Sequence, residues 1–352
     1  MIIRSRSPLR IGFFGGGTDV PPYCHEHGGA VLTASIDKYA YATWEVKENG
    51  DITIESRDLG IKTKVDDFVY DGKYDLIKAT LKMMGVNKGG HFTLHSDAPV
   101  GSGLGTSSAV NVGLVGAIWD GLGLTAQKPF NSFKTRKEIA DLAFKIERQE
   151  LGIAGGYQDQ YVSAFGGFNL IEMDKTGEVS VINLKIPEDA LCELEYSTLV
   201  CDIKMPRMGG NLIAKQMAAY KTGQNLDALH GLKALVKPGM QALMAGDIKK
   251  LGELLHESWI VKKNIAEGTS NDYIDALYGT IKSSGLVYGG KISGAGGGGH
   301  MTIICDPTKK LEVQKLLIKK ALEFSNTTEN VHNLLEFKTI SFEDKGLSVW
   351  RA

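Results

Sequence analysis

The first segment that could do chemistry, residues 7–19, places opposite charges around a bare stretch of backbone. It reads SPLRIGFFGGGTD, so Arg10 and Asp19 flank three consecutive glycines. A guanidinium and a carboxylate beside exposed peptide groups suit a polar ligand. The alternative is a tight turn with two ordinary charged residues, and this segment alone does not decide between the two.

The second segment, residues 99–109, has the composition of a phosphate-binding loop. It reads PVGSGLGTSSA and leads into an apolar stretch, residues 110–119, that predicts a helix. Glycines let backbone N–H groups approach a ligand closely, and the positive end of a helix favours an anion. The hydroxyls of Thr106, Ser107 and Ser108 could bind Mg²⁺ or phosphate. No Walker A pattern occurs, and a structural turn is the alternative.

The third segment, residues 291–300, is the densest glycine cluster in the chain. Its sequence, KISGAGGGGH, formally contains GxGxxG. A dinucleotide-binding fingerprint follows a strand and opens a helix. Here a helix is predicted before the cluster and a strand after it, so a nicotinamide-dependent oxidoreductase is disfavoured.

The composition of the 352-residue chain restricts the classes of function. Its 40 lysines and arginines balance 41 acidic residues, which argues against nucleic acid as the main partner because phosphate backbones require a basic footprint. No apolar run is long enough to span a membrane, and the N-terminus lacks an apolar signal core, so we expect a cytoplasmic protein. Its four cysteines include no CxxC pair, and we expect reduced thiols.

Hydrophobic patterns predict the elements that must position these segments. A capping box at residues 135–138 predicts a helix that stops near Gly152. We predict a domain boundary near residue 187. The strands are predicted at residues 30–46 and 51–56, which we expect to pair, and at 91–95, 167–173, 194–203, 300–305 and 335–342. The later helices are predicted at residues 211–237, 240–266, 271–284 and 309–324.

In their order and spacing, the three segments resemble the motifs of the GHMP kinase superfamily, and the resemblance covers essentially the whole chain. It is greatest to the sugar-1-kinase branch: LRIGFFGGGTDVPPY, GGAVLTASIDKYAYA, GLGTSS, GGYQDQYVSAFGGFN and KISGAGGGG look like heptose 7-phosphate kinases and the kinase part of L-fucose kinases. The resemblance implies a two-domain α+β fold. Residues 1–187 would resemble ribosomal protein S5 domain 2 and bind ATP and sugar, and residues 188–352 would be ferredoxin-like and carry the third segment.

The family's motifs imply a role for each matching residue. Asp159, in GGYQDQ, would accept or orient the proton of the acceptor hydroxyl, and Arg10 would stabilise negative charge beside it. Mg²⁺ would be held by the hydroxyl of Ser107 or Ser108 and by the carboxylate of Glu147. The residues implied in ATP binding are Pro99, Gly101, Ser102, Gly103, Leu104, Gly105, Thr106, Ser107 and Ser108.

The resemblance also implies the acceptor, which is the anomeric hydroxyl of a sugar. Galactose is disfavoured because galactokinases usually carry a Glu-His pair where this chain has Gly16 and Gly17. Tyr157 points toward fucose, since some heptose kinases have a basic residue there. The residues implied in substrate binding are Gly16, Gly17, Thr18, Asp19, Tyr157, Gln158, Lys204, Arg207, Gly294, Ala295, Gly296 and Gly297. Cations that could hold a 7-phosphate are Lys204, Arg207, Lys262, Lys263 and Lys291.

These expectations describe an ATP-dependent kinase that converts D-glycero-D-manno-heptose 7-phosphate to the 1,7-bisphosphate, toward GDP-heptose. We favour heptose because the chain lacks the second enzyme that is fused to some fucose kinases. An L-fucose 1-kinase is the first alternative. An ATP-dependent decarboxylase and a non-catalytic sugar sensor are less favoured. The expected partner is a small sugar phosphate, with no nucleic acid and no membrane, and a homodimer is left open.

Overall fold

A computed structural model describes residues 1–58, 60–65, 67–86, 88–204, 212–325 and 334–352. Mixed strands and helices confirm the predicted α+β class. The strands are β1 (Ile2–Phe14), β2 (Gly29–Lys47), β3 (Ile52–Ser56), β4 (Ile61–Val65), β5 (Gly89–Ser96), β6 (Phe168–Met173), β7 (Val179–Leu184), β8 (Thr198–Ile203), β9 (Val287–Ile292), β10 (Gly299–Cys305), β11 (Leu335–Lys338) and β12 (Ser348–Arg351). The helices are α1 (Tyr23–His27), α2 (Asp75–Met83), α3 (Thr106–Gly121), α4 (Phe133–Phe144), α5 (Gln158–Phe165), α6 (Glu188–Ser197), α7 (Leu212–Lys221), α8 (Leu226–Ala234), α9 (Val236–Met244), α10 (Ile248–Lys262), α11 (Asp272–Ser283) and α12 (Lys310–Ser325).

The first sheet is built around the long strand β2. Its order is β12-β1-β2-β5-β3-β4, and β6 and β7 extend from β2. The expected pairing of residues 51–56 with residues 30–46 is wrong, because β3 pairs in parallel with β5 instead. A strand has only two edges, and those of β2 are taken by β1 on one side and by β5 and β6 on the other.

The second sheet has the order β11-β8-β10-β9, and its neighbouring strands are antiparallel. Helices α7 to α11 connect β8 to β9, and α12 connects β10 to β11. This β-α-β-β-α-β arrangement is ferredoxin-like, as the family resemblance implied.

A shared hydrophobic core joins the two sheets. Leu9 and Phe13 of β1 belong to the same buried cluster as Leu243 and Leu251 from the helices of the second half. The last strand, β12, returns to the first sheet and pairs with β1. The boundary near residue 187 therefore stays a prediction, and the chain after residue 187 does not lie wholly with the second sheet.

Local chemistry explains the other differences from the predicted elements. Residues 194–203 are not one strand, because α6 continues to Ser197; Glu188 and Asp189 in its first turn stabilise a helix at that end. The two long helical tracts divide at turns such as Gly223 and Gly246, which have positive φ. The N-cap of α4 is Ser132, whose hydroxyl accepts from the backbone N–H of Thr135. The helix therefore begins before the capping box that was predicted at residues 135–138. Within the described residues, no helix combines the length and apolar character needed to cross a membrane.

Candidate active site

Arg10 and Asp159, the two residues expected to act on the acceptor, form an ion pair. Arg10 Nε donates to Asp159 Oδ1 at 2.8 Å. The Arg10 side chain is 5% exposed, whereas that of Asp159 keeps 22% exposure. Asp159 lies in the first turn of α5, where a carboxylate interacts favourably with the helix dipole. The pair therefore offers a fixed cation and a solvent-accessible carboxylate at one point.

The glycine-rich segment before α3 lies directly against this ion pair. The Arg10 guanidinium also donates to the carbonyl of Gly103, and the backbone N–H of Arg10 donates to the Leu104 carbonyl at 2.9 Å. A Cβ on Gly105 would lie 3.6 Å from Asp159 Cγ. Gly105 occupies the N-cap of α3 with φ +79°, and it has no side chain to cover the first N–H groups of that helix. Those N–H groups are suited to a phosphate.

The third glycine segment packs on the second and fixes its position. A Cβ on Gly294 would lie 2.9 Å from Gly103 Cα, so only glycine allows this approach. The Ser102 carbonyl accepts from both the backbone N–H and Nδ1 of buried His300, at 3.2 and 2.9 Å. Ser102 also closes a turn on Pro99. The second sheet thus braces the loop that would carry phosphate.

Ser108 and Glu147 form a buried pair of oxygen donors behind the loop. Ser108 Oγ donates to Glu147 Oε2 at 2.9 Å, and Asn111 Nδ2 donates to the other carboxylate oxygen at 3.1 Å. Burial raises the pKa of Glu147, and nearby Arg148 opposes that change. Ser107 is exposed. Of the two serines proposed for Mg²⁺, the structure therefore places Ser108 beside the carboxylate.

A π-helical segment, Lys145–Glu150, carries Glu147 after α4. Such segments are frequent at functional sites because they break the helical periodicity. Gln160 Nε2 donates to Ser108 Oγ at 3.2 Å, and its Oε1 is buried with no hydrogen-bond partner among the described residues. This corner therefore brings together side-chain oxygens from three residues, Ser108, Glu147 and Gln160.

Arg10 and Asp159 also line a polar pocket between the two halves of the chain. The other walls include the turn at Gly16 and Gly17, the residues Gly294 and Ala295, and charged side chains from both halves. Residues 99–108 do not line it. The ion pair thus separates the glycine segment from the pocket.

Asp19 is a buried carboxylate in the pocket wall. It accepts from the backbone N–H of Gly17 at 3.0 Å, and from the backbone and side-chain amides of Gln158 at 3.2 Å each. Burial raises the pKa of Asp19, and these N–H groups partly oppose the rise. A Cβ on Gly156 would lie 2.0 Å from Asp19 Oδ2, so glycine is required there. The structure therefore brings Asp19 and Gln158 together in the pocket wall.

Two residues implied in substrate binding lie behind the pocket and do not line it. Thr18 donates through Oγ1 to the carbonyl of Ala30 at 2.9 Å and is fully buried. Tyr157 stacks on Phe144 with ring centroids 3.9 Å apart and hydrogen-bonds His25. Both contacts brace the loops, so direct sugar contacts by Thr18 and Tyr157 are not supported.

The cation Lys204 also lies outside the pocket. Its ammonium bridges Asp202 at 2.8 Å and Glu336 at 2.7 Å on neighbouring strands of the second sheet. It does not line the pocket, and its charge is already paired. Arg207 lies outside the described residues.

The third segment contributes to the pocket only through its first residues. Gly294 and Ala295 line it. Gly296 and Gly297 instead pack against the loop at Gly268 and Thr269, where a Cβ would meet backbone oxygens within 3.0 Å. The substrate role expected for Gly296 and Gly297 is therefore replaced by close packing.

Two polar lining residues, Arg148 and Gln216, were not assigned to the site from the sequence. Arg148 adjoins Glu147, and that proximity could have indicated it. Gln216 donates to the Gly17 carbonyl at 2.8 Å from α7, and nothing in the pattern of that helix marks it. Lys262 and Lys291 had been considered only as cations for a 7-phosphate, and both line the pocket.

Known proteins match both parts of this architecture. Residues 73–167 match the family model of the GHMP kinases N terminal domain, and residues 240–321 match that of the GHMP kinases C terminal region. The chain is 37% identical over 340 residues to the D-glycero-alpha-D-manno-heptose 7-phosphate kinase of Campylobacter jejuni, a match that covers 94% of this chain and 98% of the relative.

Two further relatives are informative. The L-fucokinase/L-fucose-1-P guanylyltransferase of Bacteroides fragilis is 28% identical over 387 residues, covering 100% of this chain and 39% of the relative. The crystal structure of a D-glycero-D-manno-heptose 1-phosphate kinase from Bacteroides thetaiotaomicron superposes with a TM-score of 0.76 at 30% identity, covering 99% of each chain. The chain therefore belongs to the GHMP kinase family and is a phosphotransferase of that family.

Proposed function

We propose that this protein is an ATP-dependent sugar-1-kinase. It transfers the γ-phosphoryl group of ATP to the anomeric hydroxyl of D-glycero-D-manno-heptose 7-phosphate and yields ADP and the 1,7-bisphosphate, a step toward GDP-heptose. The observation that carries this proposal is the position of the Arg10–Asp159 ion pair between a glycine segment suited to phosphates and a polar pocket. A donor on one side and an acceptor on the other would meet at this pair.

Asp159 acts on the acceptor proton. Its carboxylate accepts or orients the proton of the anomeric hydroxyl as that oxygen attacks phosphorus, a contribution of about 10²- to 10⁴-fold in rate. Arg10 holds the carboxylate through Nε and stabilises negative charge on the attacking oxygen. Phosphoryl transfer depends mainly on positioning and charge stabilisation, which this rigid pair supplies.

The nucleotide phosphates bind at residues 99–108, where the loop backbone and the first N–H groups of α3 face them. The donor set behind the loop fits Mg²⁺, which prefers oxygen ligands: the Ser108 hydroxyl and the Glu147 carboxylate are adjacent to Gln160 Oε1, which has no hydrogen-bond partner in the described part of the chain. When bound, Mg²⁺ would neutralise phosphate charge. Ser108 and Glu147 are the residues that would hold it.

Asp19 and Gln158 bind the sugar in the pocket, where a carboxylate is a natural acceptor for hydroxyl groups. Gly16 and Gly17 leave space there because neither carries a side chain. Two relatives are named for a heptose phosphate. The name of the Campylobacter jejuni enzyme gives the 7-phosphate, and that of the Bacteroides thetaiotaomicron protein gives the 1-phosphate. The sequence argument for L-fucose is weakened by the stacking of Tyr157 on Phe144, away from the pocket.

The test is a coupled assay of ADP release with purified protein, MgATP and a panel of acceptors. The panel contains D-glycero-D-manno-heptose 7-phosphate, the unphosphorylated heptose, the heptose 1-phosphate, L-fucose, D-mannose and D-galactose. We expect kcat/KM for the 7-phosphate to exceed that of every other acceptor by at least about tenfold, or 1.4 kcal/mol. A preference for L-fucose would favour the runner-up, a fucose 1-kinase.

A further inference from the structure

A glutamine of α7 reaches the glycine turn at the wall of the acceptor pocket. Gln216 is 6% exposed, and it lines the pocket together with Ile213, which lies one helical turn earlier. Its Nε2 donates to the Gly17 carbonyl at 2.8 Å. On the other side of the same glycine, the Gly17 backbone N–H donates to Asp19 Oδ1 at 3.0 Å. Gln216 and Asp19 therefore flank one residue of the pocket wall.

The hydrogen-bonding capacity of the Gln216 amide is only partly used. A side-chain amide has two N–H donors and an oxygen that can accept two hydrogen bonds. Within the part of the chain that the structure describes, this amide makes one hydrogen bond, through Nε2. Because a nitrogen must face the Gly17 carbonyl, the orientation of the amide is set and Oε1 is left as an acceptor. A polar atom kept in a nearly closed pocket without a partner costs free energy, and a ligand hydroxyl would recover it.

A buried asparagine behind α7 fixes the position of Gln216. Asn225 is 1% exposed, and its Nδ2 donates to the backbone carbonyls of Gln216 at 3.0 Å and of Ile265 at 2.8 Å. Ile265 lines the same pocket. Asn225 thus ties α7 to another part of the pocket wall, and Oε1 has a defined position from which to select a ligand.

The missing side chain of Gly17 makes room for this amide. A Cβ on Gly17 would lie 3.2 Å from Gln216 Nε2 and 3.3 Å from its Oε1, and the φ of Gly17, +106°, is one that other residues rarely adopt. The space beside the turn is therefore filled from α7. The polar group at this point of the pocket comes from the second half of the chain.

Resting on the proposed function, we propose that Gln216 determines acceptor specificity, because its Oε1 accepts a hydrogen bond from a hydroxyl of the sugar bound beside Asp19. The amide offers an acceptor and a spare N–H donor, which complement hydroxyl groups. A pocket built to bind a hydroxyl rejects a sugar that lacks it, since the buried group of the protein is then left unpaired. Gln216 is thus a substrate-binding residue as well as a brace for the turn.

The test is a mutant cycle between Gln216→Met and single hydroxyl groups of the acceptor. Wild type and variant are assayed with heptose 7-phosphate and with its 2-, 3-, 4- and 6-deoxy analogues. We expect one analogue to lose at least about tenfold in kcat/KM with wild type and less than about twofold with Gln216→Met, because the variant has already lost the contact. The KM for MgATP should stay within about twofold. Gln224→Met, at an exposed position after α7, is the matched control and should keep the wild-type pattern.

A second variant separates binding of the sugar from bracing of the turn. Gln216→Glu keeps the side-chain length and an oxygen acceptor but gives up the donor to the Gly17 carbonyl. It should still discriminate against the same analogue by at least about fivefold, and loss of discrimination in this variant would reduce Gln216 to a brace. Losses that multiplied within about twofold for every analogue in the Gln216→Met cycle would also overturn the proposal. Thermal unfolding checks that each variant is folded.

Failure of the proposed function gives a different result. If wild type phosphorylated L-fucose and not the heptose, the proposed function would fail, and the same cycle would be run with L-fucose and its deoxy analogues. If wild type phosphorylated neither sugar, dissociation constants for heptose 7-phosphate from calorimetric titration would replace kcat/KM. In both cases, coupling of at least about fivefold between Gln216 and one hydroxyl supports the proposal. Absence of such coupling, or of any sugar binding to wild type, overturns it.

Discussion

Replacement of Asp159 by asparagine separates proton transfer from ground-state positioning. Asparagine keeps the shape of the side chain, and its Oδ1 can still accept from Arg10 Nε, 2.8 Å away in the wild type. It cannot take up the proton of the acceptor hydroxyl. We therefore expect kcat to fall by about 10²- to 10⁴-fold, or about 2.7 to 5.4 kcal/mol in activation free energy at 1.36 kcal/mol per decade. The dissociation constant of MgATP should change by less than about threefold, since only the transition state loses an interaction.

The stability of two variants at this position checks the same geometry. Removing one partner of a fully buried ion pair costs about 3–5 kcal/mol, but Asp159 is 22% exposed, so we expect about 1–3 kcal/mol for Asp159→Ala. Asp159→Asn should cost less, because the hydrogen bond to Arg10 survives. Urea unfolding measures both, and Asp275→Asn, which alters an ion pair outside the pocket, is the control.

Two results would refute this reasoning. An Asp159→Asn enzyme that kept more than about a tenth of wild-type kcat would not depend on Asp159 for proton transfer. A loss of MgATP affinity as large as the loss of kcat would show that the carboxylate serves the nucleotide. Equilibrium dialysis of each variant with MgATP measures the nucleotide affinity, and steady-state assays measure kcat. Together, the two measurements distinguish these cases.

Three further changes test the surrounding site. Arg10→Ala should lower kcat more than it raises KM for ATP, because it removes charge stabilisation at the acceptor oxygen; steady-state kinetics that showed only a higher KM for ATP would contradict this role. Glu147→Gln should raise the Mg²⁺ concentration for half-maximal activity by at least about tenfold, and an unchanged Mg²⁺ titration would remove Glu147 from the metal site. Gly294→Ala should lower stability by at least about 1 kcal/mol more than Gly285→Ala, since both glycines have positive φ but only Gly294 lies against Gly103; equal thermal unfolding would contradict the packing argument.

The three glycine segments were recognisable from the sequence because their chemistry is local. Consecutive glycines, adjacent hydroxyls and flanking charges are visible in short windows, and their order matched one family. The pairing of β3 was not recognisable, because it depends on which edges of β2 are already occupied. The end of α6 inside a predicted strand shows the same limit, since short apolar runs fit either helix or strand.

Side-chain direction was the other quantity that the sequence did not provide. Thr18 follows the glycine turn and Asp19 comes next, yet only Asp19 lines the pocket. Lys204 looked like a free cation, but Asp202 and Glu336 neutralise it across the sheet. Lys291 carried no stronger sequence signal than Lys204, and its place in the pocket follows from the contact of β9 with β1.

The most direct test of the central claim identifies the atom that receives the phosphoryl group. The protein is incubated with MgATP and D-glycero-D-manno-heptose 7-phosphate, and the products are followed by ³¹P NMR. We predict a new anomeric phosphate resonance beside an intact 7-phosphate resonance, with ADP formed in equal amount. With the Asp159→Asn variant, that resonance should appear at least about 10²-fold more slowly. A new phosphate on L-fucose and none on the heptose, or ADP formation with no phosphorylated sugar, would contradict the account.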